Sequence, residues 1–173
     1  MSPLIAAGYL VTFMVAAYAF LAGGKPERIG AVIVLAWQLV DPLYHAVLTP
    51  ATFARVDFGH VLIDGGEFIA LIWLALQANR VWPCFAAATQ TVAMLGHLAV
   101  AFGNGGEMRA YWAMTELPLV LQLLVLTLGV AFHAHRLRRL GAPYRNWRLP
   151  YVPPHRRRGM KTRDGHSFIH HAR

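Results

Sequence analysis

The sequence predicts an all-α protein: a five-helix transmembrane bundle with its N-terminus outside and its C-terminus in the cytoplasm. Three observations predict it. Of 173 residues, 57% are apolar and 14% charged, against about 45–50% and about 25% in soluble domains. The apolar residues gather into five runs near the length of about 20 residues that a helix needs to cross roughly 30 Å of hydrocarbon. Charge is also segregated. Residues 1–135 hold five bases and seven acids, and residues 136–173 hold eleven bases and one acid, so −2 and +10 make up the net +8. The chain therefore divides into a membrane bundle over 1–135 and a basic cytoplasmic tail over 136–173. The composition argues against a soluble globule and excludes disorder outside the tail. One cysteine, Cys84, permits neither an internal disulfide nor CxxC redox chemistry.

The first span, 4–22, carries no charge and no basic stretch ahead of its apolar run, so it reads as a retained helix rather than a secretory leader. Gly23-Gly24-Lys25-Pro26 ends it. The second, 30–48, contains Asp41-Pro42 and closes at Thr49-Pro50. The third, 60–77, is the weakest of the five, because Asp64 and Glu67 lie in its first half; from Phe68 to Leu76 it is continuously apolar. The fourth, 81–102, has no formal charge and would be about 33 Å long. Only Ala78-Asn79-Arg80 separates the third from the fourth, which predicts a tight antiparallel hairpin. Gly103-Asn104-Gly105-Gly106 reads as a loop, and the fifth span covers 111–133. Arg136, Arg138 and Arg139 follow that span and hold its end in the cytoplasm by the lysine and arginine bias. The expected location is the cytoplasmic (inner) membrane of a bacterium.

Ionisable side chains in hydrocarbon cost roughly 2.5–3.5 kcal/mol each and normally face a bundle interior. Helical spacing allows that here. Gln38, Asp41 and His45 share one face of the second span, and His60, Asp64 and Glu67 one face of the third. In the fourth, Gln90 and His97 are seven apart, with Ala86 and Ala93 beside them to admit a neighbouring backbone. The fifth offers Glu116. All these ionisable groups fall toward the outer side, whereas the first helix supplies none and is expected at the periphery. Asp41, His45, Asp64, Glu67, His97 and Glu116 are thus predicted to line a water-accessible cavity that binds a small or lipid-like ligand or handles protons. The plainer alternative is a set of carboxylate–imidazole pairs that satisfy one another.

Metal binding is the sharpest chemistry available. Asp41-x3-His45 and His60-x3-Asp64 have ligand spacing on one helix face. His45, His60, Asp64, Glu67 and His97 form the candidate ligand set, suited to zinc, iron or manganese in a metal-dependent membrane enzyme. No HExxH or paired ExxH motif is present. Haem ligated by His45 and His97 is a lesser candidate. Acid–base catalysis on a lipid-like substrate could use the carboxylates, with Trp37, Tyr44, Trp73 and Trp112 as aromatic walls. There is no serine nucleophile elbow, phosphate loop or nucleotide fingerprint. In the tail, Arg156, Arg157, Arg158, Lys161 and Arg163 interleave with Pro143, Pro150, Pro153 and Pro154, which predicts an extended arm. With Arg136, Arg138 and Arg139, the three consecutive arginines are expected to meet anionic lipid, at about 1 kcal/mol each. Nucleic acid is disfavoured, since only Tyr144, Trp147 and Tyr151 offer stacking. A non-catalytic alternative is an accessory subunit that packs its apolar faces against a larger membrane complex.

Asp41-Pro42-Leu43-Tyr44-His45, then residues 56–64 (VDFGHVLID), then Ala78-Asn79-Arg80-Val81-Trp82-Pro83, resemble a group of small bacterial multi-pass membrane proteins over about residues 30–140. That likeness implies a membrane location and no particular activity. More distantly, the layout is similar to the emopamil-binding sterol isomerase family (EXPERA domains). These are bundles of four or five helices with a basic cytosolic C-terminus and acidic residues in an internal lipid-ligand cavity. Glu67 and the Arg80 hairpin stand in comparable places. That family's His-x3-Glu element has no counterpart, since Asp41-x3-His45 runs in the reverse order. The resemblance therefore implies an intramembrane amphiphile pocket and not the isomerase reaction.

Overall fold

Apolar periodicity and length resolve into helices throughout. The computed structural model describes residues 3–47, 58–102 and 108–148. Among these the chain forms five helices and no strand: α1 (Pro3–Ala22), α2 (Lys25–Val47), α3 (Phe58–Gln77), α4 (Trp82–Phe102) and α5 (Met108–Leu140). By length and composition α2, α3, α4 and α5 can each cross a membrane, while the apolar run in α1, Ala6–Ala22, is shorter. Large apolar side chains such as Leu10, Leu62, Phe85 and Phe132 point outward. Lipid requires such a surface, and the bundle fits an integral, multi-pass membrane protein.

Two boundaries differ from the sequence expectation, each for a local reason. α2 starts at Lys25 rather than near residue 30. Pro26 lies in the first turn, where a missing N–H costs nothing. The Glu27 carboxylate reaches back to accept the Gly24 N–H at 3.0 Å, which is half of a capping box. At the other end of the chain, α5 runs on to Leu140, so Arg136, Arg138 and Arg139 are helical. Gly141, at φ +63°, ends it in the left-handed conformation and donates to Leu137 O at 3.0 Å. Residues 141–148 then fold back over the α3–α4 turn. Asn146 O accepts from Asn79 N and Gln77 O from Arg148 N, both at 2.9 Å, and Arg148 Nε donates to Ala78 O at 3.1 Å. The first part of the predicted free arm is thus a helix end and a strap. Arg156, Arg157 and Arg158 lie outside the described residues.

The core is built from Ala16, Ala19, Ala31, Leu71, Leu74, Leu126 and Val130, with Trp82 and Ala86 at one end. α1 is not peripheral, because Ala16 and Ala19 are fully packed in this cluster. Trp82 seats between α2 and α5, where a Cβ on Gly30 or Gly129 would run into its indole ring.

Candidate metal centre

The inward face of α3 organises the polar residues of one half of the bundle. His60, Asp64, Glu67, Leu71, Leu74 and Ala78 recur at three- and four-residue spacing, and from Asp64 onward all of them are buried. α2 lies against this face, so its Asp41 and His45 meet His60, and its Trp37 meets Asp64.

At the rim, three atoms converge. His45 Nε2 and His60 Nε2 are 2.9 Å apart, and Asp41 Oδ1 is 2.9 Å from His60 Nε2 and 3.8 Å from His45 Nε2. The side chains are 17%, 23% and 36% exposed for His45, His60 and Asp41, which leaves them open to an ion from water. Tyr44 packs edge-on to both imidazoles, with ring centroids at 5.2 and 6.2 Å. Its own ring occupies the space that a Cβ on Gly59 would need.

One turn inward, Asp64 joins three helices. Its Oδ1 accepts from Trp37 Nε1 at 2.5 Å, and its Oδ2 pairs with His97 Nε2 at 2.6 Å. Its backbone carbonyl accepts from Gln90 Nε2 at 3.4 Å. Gln122 Nε2 on α5 in turn donates to Gln90 Oε1 at 2.8 Å. Glu67 is buried beside this layer, and its Oε1 has no hydrogen-bond partner among the described residues, nor do Gln38 Oε1 and Gln122 Oε1. Beyond Glu67 the column stops at an apolar layer of Val34, Leu71, Leu74, Leu126 and Val130.

The five expected ligands therefore do not form one set. His45 and His60 converge with Asp41, whereas Asp64 and His97 take each other and Glu67 lies deeper. His60 and Asp64 keep ligand spacing on α3, but both Asp64 oxygens are engaged, one by Trp37 and the other by His97, so Asp64 does not join His60. His45 and His97 engage different partners, and the pairing that haem needs is not formed. Five of the six residues expected around one cavity, Asp41, His45, Asp64, His97 and Glu67, are stacked as successive layers of a column, and the sixth is not among them. Glu116 is exposed on α5, within Coulombic range of Asp41, Asp64 and His60. Of the proposed aromatic walls, Trp37 is a hydrogen-bond donor, and Trp73 packs at the far end with Trp147, ring centroids 6.4 Å apart. The side chain of Trp112 lies outside the described residues.

Sequence reasoning missed a second polar cluster at the opposite end. Arg80 and Glu27 form a buried ion pair at 2.7 Å, and Trp82 Nε1 donates to the same Glu27 oxygen at 3.2 Å. Arg80 also donates to Asn79 O at 2.9 Å, to Arg145 O at 2.8 Å, to His133 Nδ1 at 3.3 Å and to Asn146 Oδ1 at 3.4 Å. Read as sequence, Arg80 and Glu27 are only charges beside a membrane span. The available signal was Gly24-x2-Glu27, a capping spacing that brings the carboxylate back over the helix end.

No protein-family model, curated protein or solved structure matches this chain.

Proposed function

We propose that this integral membrane protein binds a first-row divalent metal ion of the zinc class through Asp41, His45 and His60. The observation that carries it is the convergence of two imidazole Nε2 atoms and a carboxylate oxygen at separations of 2.9 to 3.8 Å. A tetrahedral ion with bonds of about 2.0–2.2 Å holds its ligand atoms about 3.4 Å apart, and the observed edges bracket that distance. Two nitrogens and one oxygen suit zinc and its neighbours better than calcium or magnesium. Three protein ligands among the described residues match the number that catalytic zinc sites use.

Orientation follows from charge. Lys25, Arg28, Arg80, Arg136, Arg138, Arg139, Arg145 and Arg148 all stand at the α2-start end, with Glu27 the one acid there among the described residues. The lysine and arginine bias turns that end to the cytoplasm, so the metal site opens on the outer face of the cytoplasmic membrane. Proton handling is the second reading. It is favoured by the column from Asp64–His97 through Gln90 and Gln122, and by the unpartnered Glu67 Oε1, which a proton or a water would satisfy.

Metal titration tests the first reading. The full chain, with His155, His166, His170 and His171 changed to Ala to remove background, is stripped with chelator and titrated with Co2+. It is expected to take up about one equivalent with tetrahedral visible absorption. His60→Ala and His45→Ala should each weaken binding at least about tenfold. Uptake below about a tenth of an equivalent, or unchanged affinity in His60→Ala, would sink the proposal.

A further inference from the structure

A groove lies at the opposite end of the bundle from the proposed metal site. It has a volume of about 410 Å³ and runs between α4 and α5 at the basic end, under Trp82. Its α5 wall is Val125, Leu128, Gly129 and Phe132, and Val81 and Phe85 form the α4 wall. Val81, Phe85, Leu128 and Phe132 are exposed outward, so the groove opens to hydrocarbon rather than into the bundle.

Val125, Phe132 and Arg136 lie near one face of α5, with Leu128 and Gly129 between them. From Val125 to Arg136 is about 17 Å of helix, close to the roughly 15 Å of hydrocarbon in one leaflet. The groove ends at Tyr144, whose ring is met by two guanidinium groups, Arg80 at 5.0 Å and Arg136 at 4.4 Å from its centroid. These two arginines differ in kind. Arg80 is neutralised by Glu27 and donates to four further acceptors, which leaves it little to offer a ligand. Arg136 has no ion pair among the described residues, and its Nε is shielded from water without a hydrogen-bond partner. Its neighbours Arg138, Arg139, Arg145 and Arg148 add positive charge with no acid to offset it. Arg136 does not itself line the groove but stacks on Tyr144, which does, and stands one turn beyond Phe132. A half-exposed guanidinium without an acid at the water end of an apolar, leaflet-deep channel suits an anionic acceptor that carries its own hydrocarbon.

We infer that the α4–α5 groove is a binding site for one anionic phospholipid. An acyl chain lies along Phe132, Leu128 and Val125, and the phosphate accepts from Arg136 beside Tyr144. The inference is independent of the metal centre.

Native mass spectrometry of the full chain in detergent, supplied with phosphatidylglycerol or with phosphatidylcholine of the same chains, tests it. One phosphatidylglycerol should be retained with at least about fivefold preference. Arg136→Gln, on a half-exposed residue, should bring retention down to the phosphatidylcholine level, while Arg139→Gln leaves the preference in place. Leu128→Trp, which fills the channel, should displace the lipid with helicity by circular dichroism unchanged. Glycerol phosphate, which has the head but no chain, should not compete. Equal retention of the two lipids by the unaltered protein overturns the site. So does preference that survives Arg136→Gln, or an equal loss in Arg139→Gln, which would mark diffuse attraction to the basic end.

Discussion

Glu27→Gln is the most informative single exchange in the bundle. Glu27 is fully buried and the Arg80 side chain is 6% exposed, with their charged atoms 2.7 Å apart. The amide keeps one acceptor oxygen, so it can accept from Trp82 or from Gly24 but not from both, and it leaves a guanidinium uncompensated where water does not reach. Breaking one side of such a pair costs about 3–5 kcal/mol. Arg80→Met should cost at least as much, because it strands Glu27 and also removes donors from Asn79 O and Arg145 O, at about 1 kcal/mol each. Glu27→Gln combined with Arg80→Met removes both charges together. The double variant should therefore be at least about 2 kcal/mol more stable than the sum of the singles requires, since paired groups in contact do not add. Unfolding by dodecyl sulfate in mixed micelles, followed by far-ultraviolet circular dichroism, gives all three free energies. Additivity within about 0.5 kcal/mol, or a Glu27→Gln cost below about 1 kcal/mol, would refute the ion pair as the anchor of this end.

Gly129→Ala should destabilise by about 1–3 kcal/mol, because its methyl meets the Trp82 indole; an unchanged melting temperature would mean that Trp82 is seated elsewhere. A chain ending at Leu140 loses the strap bonds to Gln77, Ala78, Asn79 and Arg80, and should melt earlier by an amount worth about 2–4 kcal/mol. Topology is checked with single cysteines on a Cys84→Ser background. Thr52→Cys and Gly105→Cys should react with an impermeant maleimide on intact cells and Lys25→Cys only after permeabilisation, and the reverse pattern would invert the orientation.

The helices and the inward face of α3 were readable from sequence, because hydrocarbon leaves a titratable group few places to go. His60, Asp64 and Glu67 share one face at helical spacing, and that face turned to the core. Partner choice was not readable. Whether Asp64 meets an ion or His97 depends on the register of α4 against α3, which is set by side chains packed far from either residue. The start of α2 was misread because Gly-Gly-Lys-Pro punctuates a chain equally well just before a helix and just after one. The end of α5 was misread because a helix need not stop where its apolar run stops. Residues 141–148 return to meet Arg80, a contact made across more than sixty residues and invisible to any local pattern.

Leu71, Leu74, Leu126 and Val130 make the middle of the bundle an electrical insulator. The stretch from Leu71 to Ala78 spans about 10 Å with no polar side chain on its inward face. Voltage across an energised bilayer falls mainly over the least polarisable material, so most of the drop acts on this septum. On the proton-handling reading, a charge entering at the histidines would reach Glu67 against little opposing field. To continue, it would need the septum to part, and at 100 mV that last step is worth about 2.3 kcal/mol per elementary charge.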